Sequence, residues 1–268
     1  MSFYGSSFSY GGTSSEEFGL MLYDFNTTTQ GNSEFATGVN IREDRIPSRY
    51  RSLFYGAELS DNLKFNLVFG ADEYSAGMQE DIDRPEMEVI GSWLTGKNGY
   101  RWLSIDQEDM FGVRYRCIIT DLKMIEFSGF KWAFQCVAHC DSPFAYTFPF
   151  TTSFNGDGSG QFEGKLFSRS SYNGYYYPSV EIELNSPGSF SIINETDDGY
   201  EFKIEDYPNK DLIKINGENG IITTSSGINP YPYCNFKFPR LLRGDNRLKF
   251  IGDGSVRYTC EFPVNVGG

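Results

Sequence analysis

A mainly β chain in two domains is what the sequence predicts: an antiparallel β-sheet or sandwich domain with one α-helix, then a β-sandwich. Three observations carry this. Apolar and polar residues alternate strictly in run after run, as in Asn62–Gly70, where Leu63, Phe65, Leu67 and Phe69 fall on one side. Aromatic residues are 17% of the 268, and glycine occurs 29 times, a composition suited to strands and turns. The texture of the chain changes after Asp141-Ser142-Pro143, because proline cannot donate to a strand ladder and restricts the residue before it. The expected domains are residues 1–145 and 146–268.

In the first domain, Phe8–Gly12 and Glu17–Asp24 come first, and Phe18–Tyr23 reads as a strand after a Gly/Ser-rich opening. Asn26–Gly38 is polar and reads as a loop. Val39–Tyr55 carries four arginines, Arg42, Arg45, Arg49 and Arg51, and Pro47 interrupts it. It reads either as a charged loop or edge strand, since charge protects an edge from stray pairing, or as an arm reaching a neighbouring subunit. It shows little apolar periodicity, and its four arginines are the candidate contacts to that subunit. After Asn62–Gly70 comes the single helix. Asp83 is its N-cap, Glu86 completes a capping box and Pro85 sits in the first turn. Met87, Ile90, Trp93 and Leu94 form a core-facing stripe, and Gly96 is expected as a left-handed stop. Tyr100–Ile105, Tyr115–Asp121 and Leu122–Phe127 follow as strands. In the next, Phe130, Trp132, Phe134, Cys136 and Ala138 share one side.

Phe150–Gly174 is rich in Gly, Ser and Asn, and its hydrophobic periodicity fades. Beyond it, Val180/Ile182/Leu184, Phe190/Ile192, Phe202/Ile204 and Ile213/Ile215 alternate. Ser186-Pro187-Gly188, Asp197-Asp198-Gly199 and Asn216-Gly217 separate them as turns. Arg247–Ile251 and Ser255–Phe262 finish the pattern. This cadence argues a β-sandwich.

The formal net charge of −13 disfavours binding to nucleic-acid phosphates and to anionic membrane surfaces. It serves solubility, or it walls off passing DNA by repulsion. No apolar run is long enough to span a bilayer, and Met1–Gly12 has no signal-peptide pattern, so synthesis and folding in a cytosol are expected. The five cysteines, an odd count without framework spacing, read as buried thiols. His139, the only histidine, lies between Cys136 and Cys140 without enough neighbouring ligands for a metal, so no metal or other cofactor is expected. A lone histidine also argues against a Ser or Cys nucleophile with an imidazole base. Asn155–Gly160 lacks the lysine of a phosphate loop and the closing glutamate of a calcium loop. Arg243-Gly244-Asp245 reads as turn chemistry. Among the tyrosines of Tyr172–Tyr177, Tyr172, Tyr175 and Tyr176 are candidate contacts for a sugar or a partner, because tyrosine joins an apolar face to a polar tip. They read equally as packing at the domain seam.

Several segments, in order, resemble the distal tail proteins of long, non-contractile-tailed bacteriophages. They are Phe8-Ser9-Tyr10-Gly11-Gly12 followed by Phe18-Gly19-Leu20; the helix ending Trp93-Leu94 before Arg101-Trp102-Leu103; the seam Phe134-Gln135-Cys136 and Ser142–Tyr146; and Phe238-Pro239-Arg240-Leu241 with Gly244-Asp245-Asn246, read as a closing hairpin. Leu242-Arg243 stands where that family often has proline. The resemblance spans nearly the whole chain. It implies a hexameric ring at the virion tail tip, with N-terminal domains around the channel through which DNA passes. It implies an outward C-terminal domain of galectin-like β-sandwich fold that anchors receptor-binding proteins. The implied partners are the tail tube protein, the tape-measure protein and the tail-associated fibre or lysin protein. No catalysis and no cofactor are implied. Two other functions stand against this structural hub: a carbohydrate-binding adhesion module for the host cell wall, and a glycosidase, which would need a pair of carboxylates in a cleft.

Overall fold

The computed structural model describes residues 6–23, 39–59, 61–71, 82–96, 98–127, 130–156, 158 and 160–265. The expected loop Asn26–Gly38 lies outside them, as do Asp157 and Ser159 of the Asn155–Gly160 stretch. The chain divides into residues 1–146 with 265–268, and residues 147–264.

The first unit is built from β1 (Phe8–Tyr10), β2 (Thr13–Ser14), β3 (Leu20–Leu22), β4 (Val39–Asp44), β5 (Leu53–Leu59), β6 (Lys64–Ala71), α1 (Arg84–Thr95), β7 (Arg101–Ile105), β8 (Val113–Phe127), β9 (Phe130–Cys140) and β10 (Ala145–Thr147). Its main sheet runs β2-β1-β7-β8-β9-β6-β3, antiparallel throughout, with β10 also paired to β8. β6 alternates as expected: Leu67 and Phe69 are buried, and Phe65 packs on Tyr115 with ring centres 4.9 Å apart. Phe69 in turn stacks on Phe134 of β9. Each fully buried Phe contributes about 2–3 kcal/mol.

α1 begins as its sequence dictates. The Asp83 carboxylate accepts from the Glu86 N–H, and the Glu86 side chain accepts from the Asp83 N–H. Ile90, Trp93 and Leu94 are buried. The Trp93 indole donates to the Tyr10 carbonyl at 3.0 Å and stacks on Phe8 and Phe18. The helix stops differently from expectation. Gly96 has φ −74°, so it is not left-handed, and its N–H donates to the Ser92 carbonyl. A Cβ there would sit 2.5 Å from that carbonyl oxygen, so close approach rather than positive φ suits glycine here.

Three further differences have local causes. Phe18 is not in a strand: Ser15–Phe18 is a 3-10 turn closed by a Ser14/Glu17 capping box and by left-handed Gly19, and the strand starts at Leu20. The capping side chains satisfy N–H groups that a strand would have left to a neighbour. The expected strands Tyr115–Asp121 and Leu122–Phe127 are one 15-residue strand, β8 (Val113–Phe127). Its register shifts between Thr120 and Lys123, where Asp121 has φ 54°, so the expected break is a bulge. In β9 the buried positions are Phe134, Cys136, Ala138 and Cys140. Ala133 is buried as well, beside a second register shift, and Trp132 leaves their side to meet Tyr23 edge-on.

The second unit contains β11 (Phe150–Asn155), β12 (Gln161–Ser168), β13 (Ser179–Leu184), β14 (Gly188–Asn194), β15 (Tyr200–Tyr207), β16 (Leu212–Asn216), β17 (Ile221–Thr224), β18 (Gly244–Ile251) and β19 (Gly254–Cys260). One sheet runs β11-β19-β13-β16-β17, and the other β12-β18-β14-β15. One core joins them, with Val180, Ile182, Ile213 and Val256 from the first and Phe190, Ile192, Phe202 and Phe250 from the second. This is a β-sandwich. The strands β11 and β12 fall where periodicity seemed to fade. Their inward positions include Thr152 and Gly164, which dilute the apolar pattern. Gly164 is required: the Phe154 ring lies over it, and an added Cβ would come within 2.3 Å of ring atoms. The expected closing hairpin of Phe238–Leu241 with Gly244-Asp245-Asn246 is not formed: Leu241 bridges Tyr176, and residues 244–246 open β18. β18 pairs with β12 and β14, and β19 with β11 and β13, so consecutive strands enter opposite sheets.

Among the described residues, no helix is long and apolar enough to cross a membrane.

Candidate functional site

Residues 39–59 form a two-stranded sheet of their own. β4 pairs with β5 from Val39↔Leu59 to Asp44↔Leu53, with a bulge after Arg42. All 21 residues are exposed except half-buried Gly56. Register shows what the sequence reading missed. Val39 and Ile41 stand opposite Leu59 and Ala57, and Phe54 stands opposite Glu43, so one face is an apolar stripe. Ile41 and Phe54 are 62% and 65% exposed. The other face carries Arg42, whose guanidinium meets Glu58 at 2.7 Å. In water such a pair is worth at most about 1 kcal/mol. The turn, residues 45–52, contains Arg45, Arg49 and Arg51 and no acidic residue. Its Tyr50 is 91% exposed, with Arg51 over its ring. The four arginines therefore share one hairpin, three of them at its tip. The Val39-Asn40-Ile41-Arg42 alternation was the available signal.

A second exposed feature lies between β7 and β8. The Asp106 N–H donates to the Ser7 carbonyl, and the Met110 N–H to the Gln107 carbonyl. The buried Met110 sulfur accepts from the Tyr115 hydroxyl. These bonds fix a loop with exposed Asp106 and Glu108, on which Phe111 is 92% exposed.

In the second unit the tyrosines have different roles. Tyr172 and Tyr175 are exposed. Tyr176 packs against the core beside Phe262, and its hydroxyl accepts from the Glu261 N–H; burial pushes that hydroxyl well above its ordinary pKa. Tyr175 is committed on one face. The Arg240 guanidinium lies between Tyr175 and Tyr200, 3.6 Å from each ring centre, and its Nε donates to Asp197 at 2.6 Å. Arg240, Asp197 and Tyr200 had no local signal, because positions 175, 197, 200 and 240 meet only in the fold.

The outer face of the five-stranded sheet bears two shallow grooves of about 280 and 410 Å³. They share Glu181, which takes Lys214 at 2.9 Å and Arg257 at 3.4 Å. Among the described residues no aromatic side chain lines either groove, so neither offers a platform on which a sugar ring could stack.

Asp211 is held by its own turn. Burial by itself would raise the Asp211 carboxyl. Hydrogen bonds from Ser225, Ser226 and Tyr207 outweigh burial and hold it well below the usual carboxylate range. Its oxygens accept from the Tyr207 hydroxyl (2.7 Å), the Ser225 hydroxyl (2.6 Å), the Ser226 hydroxyl and the N–H groups of Leu212, Ser225 and Ser226. A carboxylate so held cannot donate a proton as a general acid near neutral pH. All five cysteines are buried thiols; Cys117 and Cys140 stand opposite each other across β8 and β9. Burial pushes the Cys136 thiol up to about 12, away from the thiolate a nucleophile needs. Among the described residues, no three His, Cys, Asp or Glu side chains gather as a metal site.

Residues 3–142 match the family model described as phage tail protein N-terminal domain, and residues 144–260 the one described as phage tail C-terminal domain. No curated protein sequence matches the chain. Two solved structures share its fold. One is Dit (gp 19.1) of phage SPP1, described as a paradigm of the hub adsorption apparatus in phages infecting Gram-positive bacteria. It is 12% identical with a TM-score of 0.69, over 97% of this chain and 100% of that one. The other comes from the phage p2 baseplate in its activated conformation with Sr. It is 10% identical with a TM-score of 0.53, over 95% and 98% of the two chains.

Proposed function

The chain belongs to the family of phage tail proteins whose N- and C-terminal domains its two halves match, and from that premise we propose that it is the distal tail protein of a long, non-contractile-tailed bacteriophage. Made in the host cytoplasm, it assembles into the virion tail tip as a hexameric ring. The ring joins the tail tube and tape-measure proteins above to the tail-associated fibre or lysin protein below. The observation that carries this reading is end-to-end likeness: the fold of the SPP1 hub protein accounts for 97% of this chain, with no part of that relative left over.

The mechanism is assembly, not catalysis. A ring forms when one patch of each subunit meets a different patch of the next and the rotation closes. The exposed hairpin with Arg42, Arg45, Arg49 and Arg51 is such a patch, because its apolar stripe has no cover among the described residues. The second unit, galectin-like on this reading, closes its own core. It offers its surface, including Tyr172 and Tyr175, to receptor-binding proteins. The net charge of −13 keeps DNA from adhering as it passes through the ring.

Electron microscopy of the purified chain, alone and mixed with tail-tube and tail-tip proteins, tests the reading. Closed particles with six copies are expected. A strict monomer in every mixture would remove it.

A further inference from the structure

We infer that Cys117 and Cys140 are a cross-strand disulfide in waiting, held as thiols inside the cell and closed by oxidation once the protein is outside it. The chemistry belongs to this chain alone; only the occasion, release from the host, rests on the tail-protein reading above. The two residues are direct partners across β8 and β9, inner strands of the main sheet. Opposite residues of an antiparallel pair alternate between hydrogen-bonded and non-hydrogen-bonded positions, and at the latter the Cα atoms are about 4.5 Å apart. The Asp141 N–H donates to the Arg116 carbonyl at 3.0 Å, while the Cys140 N–H turns away to the Leu63 carbonyl at 2.9 Å. Arg116 with Asp141 is therefore the bonded pair, and Cys117 with Cys140 the non-hydrogen-bonded one. That spacing lies inside the roughly 4.4–6.8 Å that a disulfide spans. The thiols already meet: a hydrogen bond to Cys140, with burial, holds the Cys117 thiol above its ordinary pKa. The other cysteines face different residues, Cys136 opposite Leu67, Cys234 opposite Ile204 and Cys260 opposite Phe150.

Both side chains are fully buried, so the reaction begins with an opening at the end of β9, where Cys140 is the last residue. Strand ends open at lower cost than a whole unit. The Cys140 thiol gives up its proton and attacks one sulfur of a small disulfide such as glutathione disulfide, releasing one glutathione thiolate. The Cys117 thiol, deprotonated in turn, attacks the Cys140 sulfur and releases the second. Two protein thiols are oxidised to one S–S bond, one glutathione disulfide is reduced to two glutathione molecules, and the two protons end on their sulfurs. Inside the host the reducing cytosol keeps the pair open. Outside it, the bond ties the open end of the β8–β9 hairpin, and burial then shields it from reductants.

The test exposes the folded, reduced full chain to glutathione disulfide and reads it by intact mass, peptide mapping without reductant and thermal unfolding. The expected product has lost two hydrogens and carries one intramolecular link between the peptides of Cys117 and Cys140, with Cys136, Cys234 and Cys260 still thiols. The melting temperature of the first unit should rise by about 5–10 °C and return when a reductant is added to the opened chain. Cys140→Ala should remove both the link and the rise. Should that variant fail to fold, the map and the reversal on the wild-type chain carry the test by themselves. Five free thiols after prolonged exposure, glutathione left on Cys140 without closure, a link between other cysteines, or a lowered melting temperature would each overturn the inference and leave the ring reading untouched. A chain that forms no ring leaves the disulfide untouched in the same way.

Discussion

The turn around Asp211 and the hairpin of residues 39–59 are both short excursions of a β chain, completed in opposite ways. At Asp211 one buried carboxylate collects three hydroxyls and three main-chain N–H groups from segments on either side of it. Each donor that would otherwise be orphaned on leaving water finds an acceptor. In the hairpin the ladder bonds are made, but Val39, Ile41, Phe54 and Tyr50 lie open. The first region needs nothing beyond its own chain. The second is an amphipathic sheet whose apolar side has no covering layer among the described residues, a form that would suit a neighbour. The lesson is that local order and local completion are separate properties.

The largest effect should come from opening the closed region. Phe190 is fully buried between the two sheets. Phe190→Ala should cost about 3–5 kcal/mol and lower the melting temperature of the second unit by about 10–20 °C. A loss under about 1 kcal/mol in denaturant titration would mean that the sandwich does not depend on that core.

Next in size is Asp211→Asn, expected to cost about 3 kcal/mol because it leaves several donors without an acceptor. The pH dependence sharpens the test. The folded carboxyl lies below its unfolded value, so its contribution is fully present above about pH 4 and is lost as pH falls further, through the folded value. The stability gap between wild type and variant should therefore narrow only in strong acid. A gap constant from neutral pH down to pH 2 would show that the charge is not what the turn uses.

The smallest effect on stability should come from the hairpin. Ile41→Ser/Phe54→Ser should shift the main unfolding transition by less than about 0.5 kcal/mol, since both side chains are already in water, while abolishing self-association. A destabilisation comparable to Phe190→Ala would mean that the hairpin is part of the first unit's own core, and the contrast drawn above would fail.

Much of the frame is legible in the residues. β6, β13 and β16 announce themselves by alternation, and α1 by its capping box, because the causes lie within four residues of one another. What could not be read depends on partners distant in sequence. Gly164 looks like a loop residue until Phe154 is seen lying on it. Asp211 looks like one more surface acid until Ser225 and Ser226 close over it. The Arg240 clamp joins three other segments. The candidate contacts divide the same way. Charge marked the four arginines, but only the Val39↔Leu59 register gives their hairpin an apolar side. Phe111 had no signal, since a single aromatic beside a glycine reads as ordinary sheet residue or turn.

The division of β18 and β19 between opposite sheets governs the order of events at the ribosome. Each is the inner member of its sheet, flanked by strands made up to 110 residues earlier, as in Phe150↔Cys260. Until residues 244–251 have emerged β12 has no strand to pair with, and β11 waits further, for residues 254–260. The second unit therefore waits for translation to pass that point, then closes through distant contacts, a slow kind of closure. The first unit has its strands β1 to β10 in hand about a hundred residues sooner.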